Sequence, residues 1–442
     1  MKSRTRYAAI AAWLLVASAI TGCESGRERP PGVTVRVLHA APARGTLDFL
    51  REQRNETQLD YRQASGPLFW DSGEYDFNVH AVDATGTSTT LLGSFSRTLA
   101  ADQQYFFVIT EAAGELRPIV VEKAPFSGTT AEVVAVHAAP SLGPMSVYVE
   151  PDGIVPSAVA PFGTIGFGEI AGPATREPGE YRLSLTEAGN PANVLMTSRL
   201  VALEQGQSYT FTILDPADDS TAQVAVSFVG PEPTLLFDES TQSALTVINA
   251  AADGLPRDVY VDDDFSAPAL AAVPVPTRTS PVEVTSGSRK LSVTPAGNTG
   301  TVEAESTSTF ARSRHHVALI GGAPGELEIA FAVDERRRIT DHARITFMNA
   351  ATQFGRIEYF LLPPGTDISN LSSTILLDAP AMSSRLAFPP GDYELIAREL
   401  DGAVLAGPVP VTLAGSGVYS VLTTNGAVAG TVDFVYFEDF VD

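Results

Sequence analysis

One cysteine in 442 residues, Cys23, leaves the chain without an intrachain disulfide. Domains of ~100 residues can hold together on their cores alone, where smaller secreted domains often need disulfides. Tryptophan occurs only as Trp13 and Trp70, and the six histidines are scattered. A closed zinc site wants several clustered ligands, so this scatter points to no metal. Bases are outnumbered, with 29 Lys and Arg against 52 Asp and Glu, a net charge of −23. Such a field repels phosphate backbones and anionic lipid surfaces, which argues against a nucleic-acid partner; its direct meaning is solubility. Beyond residue 22 no stretch keeps a long 3.6-residue apolar period, so any helix is short and lies in a connecting loop. A nucleophile elbow, a Walker loop and an HExxH pair are all missing. The stretch GTIGFGEIAG (Gly163–Gly172) lacks the G-x-G-x-x-G order and runs into Pro173, so no cofactor is expected there.

What is present is an address followed by repeats. Lys2, Arg4 and Arg6 precede an apolar run from Tyr7 to Ile20, the layout of a secretory signal over residues 1–22. The run is shorter than the ~20 residues of a spanning helix. It ends in Ile20-Thr21-Gly22-Cys23, which resembles the bacterial lipobox. That resemblance implies cleavage before Cys23 and acylation of its thiol, by palmitate or a similar chain. Each buried methylene contributes ~0.8 kcal/mol, so two or three chains would anchor the protein stably. Loss of the three cations takes the net charge from −23 to −26. Glu24, rather than Asp, resembles the sorting preference of proteobacterial lipoproteins for the outer membrane. Residues 23–32, with ESGRERPPG after the cysteine, read as a lipidated tether.

Four segments then align without a gap: VRVLHAAP from Val35, VAVHAAP from Val134, LTVINAAA from Leu245 and ITFMNAAT from Ile345. Their shared anchor is a polar residue before Ala-Ala: His39, His137, Asn249 and Asn349, at separations of 98, 112 and 100 residues. Nine residues past each anchor stand Asp48, Ser146, Asp258 and Glu358. Later in each unit a turn glycine (Gly73, Gly179, Gly287, Gly391) opens an alternating strand, with Tyr75, Tyr181 and Tyr393 two residues on. A third signature reads QQYFFVIT, QSYTFTIL, RHHVALIG and GVYSVLTT. Val35 and Val37 share one face, as do Leu245 and Val247, the period-two pattern of a half-buried strand.

A period of ~100 residues exceeds the 20–45 of a solenoid unit and fits a self-contained domain. Short strands with turns between them predict an all-β chain of four tandem immunoglobulin-like antiparallel β-sandwich domains, at 33–125, 131–230, 243–334 and 342–442. Glu122–Thr130, Gly230–Gln242 and Asp334–Asp341 read as short linkers, which predicts beads in a row that fold separately. The segment VRVLHAAP, the strand RDVYVDDD from Arg257 and the PGEY and PGDY turns resemble a bacterial and archaeal surface-domain family known only as domain of unknown function 4397. The resemblance is fuller over 33–230 than over 243–442, where Asn replaces His and the proline is lost. It implies a cell-envelope location and tandem display, and no catalytic residues.

Candidate chemistry is sparse. His39 with Asp48, or His137 with Ser146, is the start of an acid–base pair. Asn249 and Asn349 cannot act as bases, so a shared hydrogen-bonding role explains all four repeats. His315 and His316 are adjacent strand residues, which point to opposite faces and cannot easily share an ion. Asp262-Asp263-Asp264 and Asp215, Asp218, Asp219 are acidic loops without EF-hand spacing, read as solvated turns. Arg336-Arg337-Arg338 reads as a surface linker. The expectation is a non-enzymatic lipoprotein of the envelope, periplasmic or surface-exposed, held in the membrane through Cys23 and displaying binding modules to an extracellular ligand. An envelope scaffold or assembly factor for another outer-membrane protein is the alternative. A polysaccharide hydrolase is the third reading, and no spacing of carboxylates points to it.

Overall fold

A computed structural model describes residues 32–83, 87–217, 220–400 and 402–439. Cys23, the signal and the tether up to residue 31 lie outside the described residues, as do Asp218 and Asp219. The chain is all-β. No α-helix occurs among the described residues, and the one 3₁₀ turn, Pro156–Ala158, sits in a connecting loop.

Four two-sheet sandwiches follow one another. In the first, one sheet orders its strands Leu68–Asp71, Gly32–His39, Gln104–Ala112, Glu115–Lys123, and the other Arg54–Leu59, Leu47–Arg51, Gly73–Val82, Ser88–Leu99. The same order recurs in the other three, with extra short edge strands. Neighbours run antiparallel with one exception per sandwich. The strand carrying the anchor lies parallel to the later aromatic strand: Gly32–His39 on Gln104–Ala112, with Val37 opposite Phe107. The intervening chain makes the other sheet, so this pair has the long connection that parallel strands need. Inward residues alternate along each strand. Val33, Val35 and Val37 meet Phe49, Phe77 and Phe107 between the first sandwich's sheets. Leu245 and Val247 meet Val259, Leu291 and Val293 in the third.

The first anchor strand alternates as expected over residues 32–37, but the other three are not half-buried. Ala131–His137, Ser243–Asn249 and Ala343–Asn349 are buried at every residue. Their outer faces pack on the adjacent sandwich. Leu38, Val108 and Ile119 of the first join Val134, Val136 and Leu214 of the second in one apolar cluster. Ile248 and Leu319 of the third join Met348 and Leu422 of the fourth in another. The expectation of beads in a row therefore fails: the sandwiches are fused in pairs, first with second and third with fourth. The Gly230–Gln242 segment is not a free linker either. Pro233–Phe237 pairs with Ala225–Val229 as a fifth strand, and Leu236 enters the second sandwich's core.

Candidate functional site

The four anchors turn out to share one job. His39 is 1% exposed, and its Nδ1 accepts the Ala41 amide at 3.2 Å. That leaves the proton on Nε2, which donates to the Gly45 carbonyl at 2.7 Å. His137 repeats this with Ala139 (3.3 Å) and Gly143 (3.0 Å). Asn249 accepts from the Ala251 amide at 3.2 Å and donates to Leu255 and Val273 carbonyls at 3.1 and 2.8 Å. Asn349 accepts from Ala351 at 3.0 Å and donates to the Leu377 carbonyl at 3.1 Å. Each anchor ties the backbone two residues on to a carbonyl of a neighbouring loop or edge strand, which fixes the exit of its strand. Burial drives the His39 pKa down to about 3 and lowers that of His137. With both ring nitrogens spent on backbone, neither histidine is placed for proton transfer.

The second set of polar residues is buried in the other sheet. Asp48 accepts from Gln58 at 3.0 Å, and Ser146 meets Thr164 at 3.0 Å. Asp258 accepts the Ala272 and Gly297 amides at 2.6 and 2.8 Å, and Glu358 accepts from Arg398 at 2.7 Å. Among the described residues no hydrogen bond joins His39 to Asp48, so the acid–base pair is not assembled. The carboxylates of the Asp262–Asp264 turn face Arg289 (2.9 Å), Lys290 (3.1 Å) and Ser266 (2.6 Å). Asp215 is buried against Ser141. Gly163 and Gly172 serve close packing where the chain crosses between sheets. A Cβ on Gly172, at φ +97°, would lie 2.8 Å from the Val133 carbonyl.

A further equivalence runs through the third signature. Tyr105, Tyr209 and Tyr419 accept the amides of Ala100, Glu204 and Ala414 at 2.7, 2.9 and 2.9 Å. In the third sandwich His316 stands in for the tyrosine and accepts the Ala311 amide at 3.0 Å. A second tyrosine set, Tyr75, Tyr181 and Tyr393, donates to carbonyls four residues back at 3.0, 2.9 and 2.8 Å. The turn glycine of this signature takes φ +155°, +110° and +158° at Gly73, Gly287 and Gly391, and no left-handed φ at Gly179; Gly287 precedes Arg289, where the third sandwich has no tyrosine.

The junctions between sandwiches carry the most specific chemistry. The two alanines after each anchor are buried and divide the work: Ala139, Ala251 and Ala351 join the cores of their own sandwiches, while Ala40, Ala138, Ala250 and Ala350 sit at the shared interfaces. Small side chains there let the sheets approach. Thr110 donates to the Ala138 carbonyl at 3.0 Å across the first pair. The second and third sandwiches meet through Ser220, bridged to Arg314, and through Thr221, which donates to the Gln242 carbonyl at 2.7 Å.

The Arg336–Arg338 segment is no surface linker. Arg336 is 7% exposed and donates to Asp334 (2.8 Å) and Thr246 (3.0 Å). Arg337 donates to the Pro42 and Arg44 carbonyls of the first sandwich and stacks on Tyr61 at 5.2 Å. Thr340 donates to the Ala43 carbonyl at 2.9 Å, and Arg44 reaches Asp341 at 3.1 Å. Behind this lies a buried ionic network. Asp334 takes Arg278 (2.8 Å), Arg336 (2.8 Å) and Arg385 (2.9 Å), and Asp439 takes Arg278 (2.6 Å), Arg385 (3.3 Å) and Ser420 (2.6 Å). Burial pushes the Asp334 carboxyl up, but the three guanidinium groups outweigh it and hold the pKa below its ordinary value. The network locks the third sandwich to the fourth.

Comparisons with known proteins add the family. No curated protein matches the chain. Among solved structures it is similar to the Bacillus anthracis TIE protein, at 8% identity over 86% of this chain and 65% of that one, with a TM-score of 0.15. It is also similar to BcpA, the major pilin subunit of Bacillus cereus, at 11% identity over 89% of this chain and 98% of that one, with a TM-score of 0.14. The chain thus spans 65% of the length of the first of these. The sequence family is matched twice, over residues 33–148 and 243–360. Each match starts on the first strand of a pair and ends inside the second strand of its partner sandwich, at Met145–Pro151 and Arg356–Leu362. These two matches take in more than half of the chain, which belongs to the family described as Domain of unknown function (DUF4397).

Proposed function

We propose that this is a non-enzymatic envelope protein, anchored through acylated Cys23 in the outer membrane, whose sandwiches together present one binding surface to a macromolecular partner. The observation that carries the reading is the fusion of the sandwiches. Apolar clusters join them in pairs, and the 334–341 segment ties the third and fourth to the first. Four separately tethered modules would act by avidity, which depends on flexible spacing. A fused body suits a single partner matched to a composite face, through loops and open sheet edges.

The partner is either an extracellular ligand or another outer-membrane component, and one experiment separates these. In-cell crosslinking and pull-down of the full lipoprotein is compared with a Cys23→Ser control. A single stoichiometric envelope protein that is lost in the control supports the scaffold role. A protease-accessible protein on intact cells with no envelope partner supports display towards an outside ligand. Retention of membrane attachment in the Cys23→Ser chain would sink the anchor.

A further inference from the structure

The junction between the two pairs shows what the anchor end of a pair can receive. There the loop after His39 (Pro42, Ala43) and the loop after the second sandwich's aromatic strand (Asp215, Ala217) form a groove, and Arg337 and Arg338 line it. Arg337 donates to the Pro42 carbonyl at 3.1 Å, and the Thr340 amide donates to the Ala43 carbonyl at 2.9 Å. An extended, arginine-bearing segment therefore seats on the first pair.

The second pair builds a groove from the same two kinds of loop. The loop after Asn349 (Thr352–Gly355) faces the 322–328 loop, which follows the strand His315–Gly321, with about 670 Å³ between them. This groove lies at the end opposite to the one where Gly32 enters. Gly32–His39 runs from that entry to the junction. Ala343–Asn349 starts at the junction, where Arg344 reaches the Arg337 carbonyl at 3.0 Å, and ends at the groove. No segment of the chain lies across it among the described residues.

Both rims are held in place by the fold. Ala252 donates to the Gly322 carbonyl at 3.0 Å, and Glu326 to the Ala323 carbonyl at 2.9 Å. Opposite, Asn425 accepts the Gln353 amide at 3.2 Å and donates to Thr352 at 2.9 Å. Asn425 stands two residues past Thr423, the register partner of Asn349, as Asp215 stands two past Ile213, the partner of His137. Asp215 holds Ser141 in the same way.

The walls specify an occupant. Leu327 and Phe354, which pack on the cores of the third and fourth sandwiches, give an apolar floor with Pro380. Glu326 and Glu328 on the rim are exposed, and neither meets a base among the described residues. An arginine side chain matches both features, since its stem lies on apolar surface while its guanidinium fork takes a carboxylate. An acidic segment would be repelled by the rim and by the field of the whole chain.

We infer that this distal groove docks an extended, arginine-bearing segment of a partner protein. The inference rests on the macromolecular partner proposed for the fused body, and it gives that partner a chemistry and a place: a basic strand or tail, met at the end away from the anchor.

The probe is the peptide Arg-Arg-Arg-Ile-Thr, copied from residues 336–340, titrated calorimetrically into the purified full chain, with Glu-Glu-Glu-Ile-Thr as the control. Saturable one-to-one binding of the first peptide and none of the second is expected. Glu326→Lys with Glu328→Lys is expected to weaken it at least tenfold. Gln353→Lys on the opposite rim is the second variant, with the same direction, should the first pair of lysines disturb the loop. Glu180→Lys with Glu204→Lys makes the same change in net charge as the first double variant, at exposed positions of the second sandwich, and is expected to weaken binding less than twofold. No saturable binding, or equal losses in the two double variants, would overturn the proposal. In the in-cell pull-down, a partner retained by the Glu326→Lys, Glu328→Lys lipoprotein keeps the functional reading and overturns the groove as its seat. Peptide binding lost in that variant, with no cellular partner found, upholds the groove and overturns the functional reading.

Discussion

Arg278 of the third sandwich and Asp439 on the last strand of the fourth meet at 2.6 Å, with the Asp439 side chain 1% exposed. Removing one partner of a buried ion pair leaves a charge that the interior cannot solvate, at a cost of about 3–5 kcal/mol. Asp439→Ala is therefore expected to destabilise the third and fourth sandwiches by that order. Asp378→Ala breaks an exposed pair, Arg356 with Asp378 at 52% and 63% exposure, and is expected to cost under about 1 kcal/mol. Calorimetric unfolding of both variants checks this. Equal losses would remove the network from its role as a lock.

Two acid windows follow from the buried groups. A histidine buried in its neutral form binds no proton in the fold but one in the unfolded chain. Since burial takes His39 from 6.5 to about 3, the stability it contributes is complete above pH 6.5 and is lost as pH falls towards 3. Within that window the slope is about 1.4 kcal/mol per pH unit for one such group. Asp334 is depressed for a different reason, by its arginines, and its contribution is complete above about pH 4 and is lost only below it. The first sandwich should loosen at pH 5 while the Asp334 network still holds. His39→Asn copies Asn249 and should flatten the slope by one proton, measured as the urea midpoint between pH 7 and 4. An unchanged slope would show that His39 is not the titrating group.

Much of this was legible in advance, for a physical reason. Strand alternation and turn glycines are local, so the four sandwiches could be read from Val35, Val37 and their equivalents. The shared chemistry of His39 and Asn249 was also readable, because both types donate and accept. Pairing of sandwiches was not, since Leu38, Val136, Ile248 and Met348 look like ordinary strand residues until their second face is covered. Near-continuous apolar runs such as LTVI from Leu245 were the available signal. The Arg336–Arg338 run was misread because a charge run is usually solvated, and nothing local indicates that Asp334, Thr246, Pro42 and Arg44 receive it.

Fusion makes a prediction about fragments. Residues 32–125 alone would expose the outer faces of Leu38, Val108 and Ile119, each about 1.5–3 kcal/mol of lost burial. Residues 32–237 keep that interface. The single sandwich is expected to bind hydrophobic dye or self-associate, and the pair to give a cooperative near-ultraviolet transition. A monomeric, dye-free single sandwich with the pair's stability would show that the interface contributes little.

Gly321 and Thr110 occupy equivalent positions, one residue past Ile320 and Ile109, the register partners of Asn249 and His39. In the first pair Thr110 spends its hydroxyl on the Ala138 carbonyl. In the second there is no room for any side chain, because a Cβ on Gly321 would lie 2.9 Å from Pro380 Cβ and 3.4 Å from Ala350 Cβ. Gly321→Thr should therefore force the third and fourth sandwiches apart and cost about 1–3 kcal/mol, although threonine is native at the matching site. Thr110→Gly should cost about 1 kcal/mol through the lost hydrogen bond. Trp70 is the sole tryptophan beyond the signal and sits in the first sandwich's core, so its fluorescence follows the first pair alone. The expected result for Gly321→Thr is an earlier calorimetric transition with the Trp70 transition little changed. If both transitions move together, the four sandwiches unfold as one unit through the 334–341 junction, and the pairs are not separate cooperative bodies.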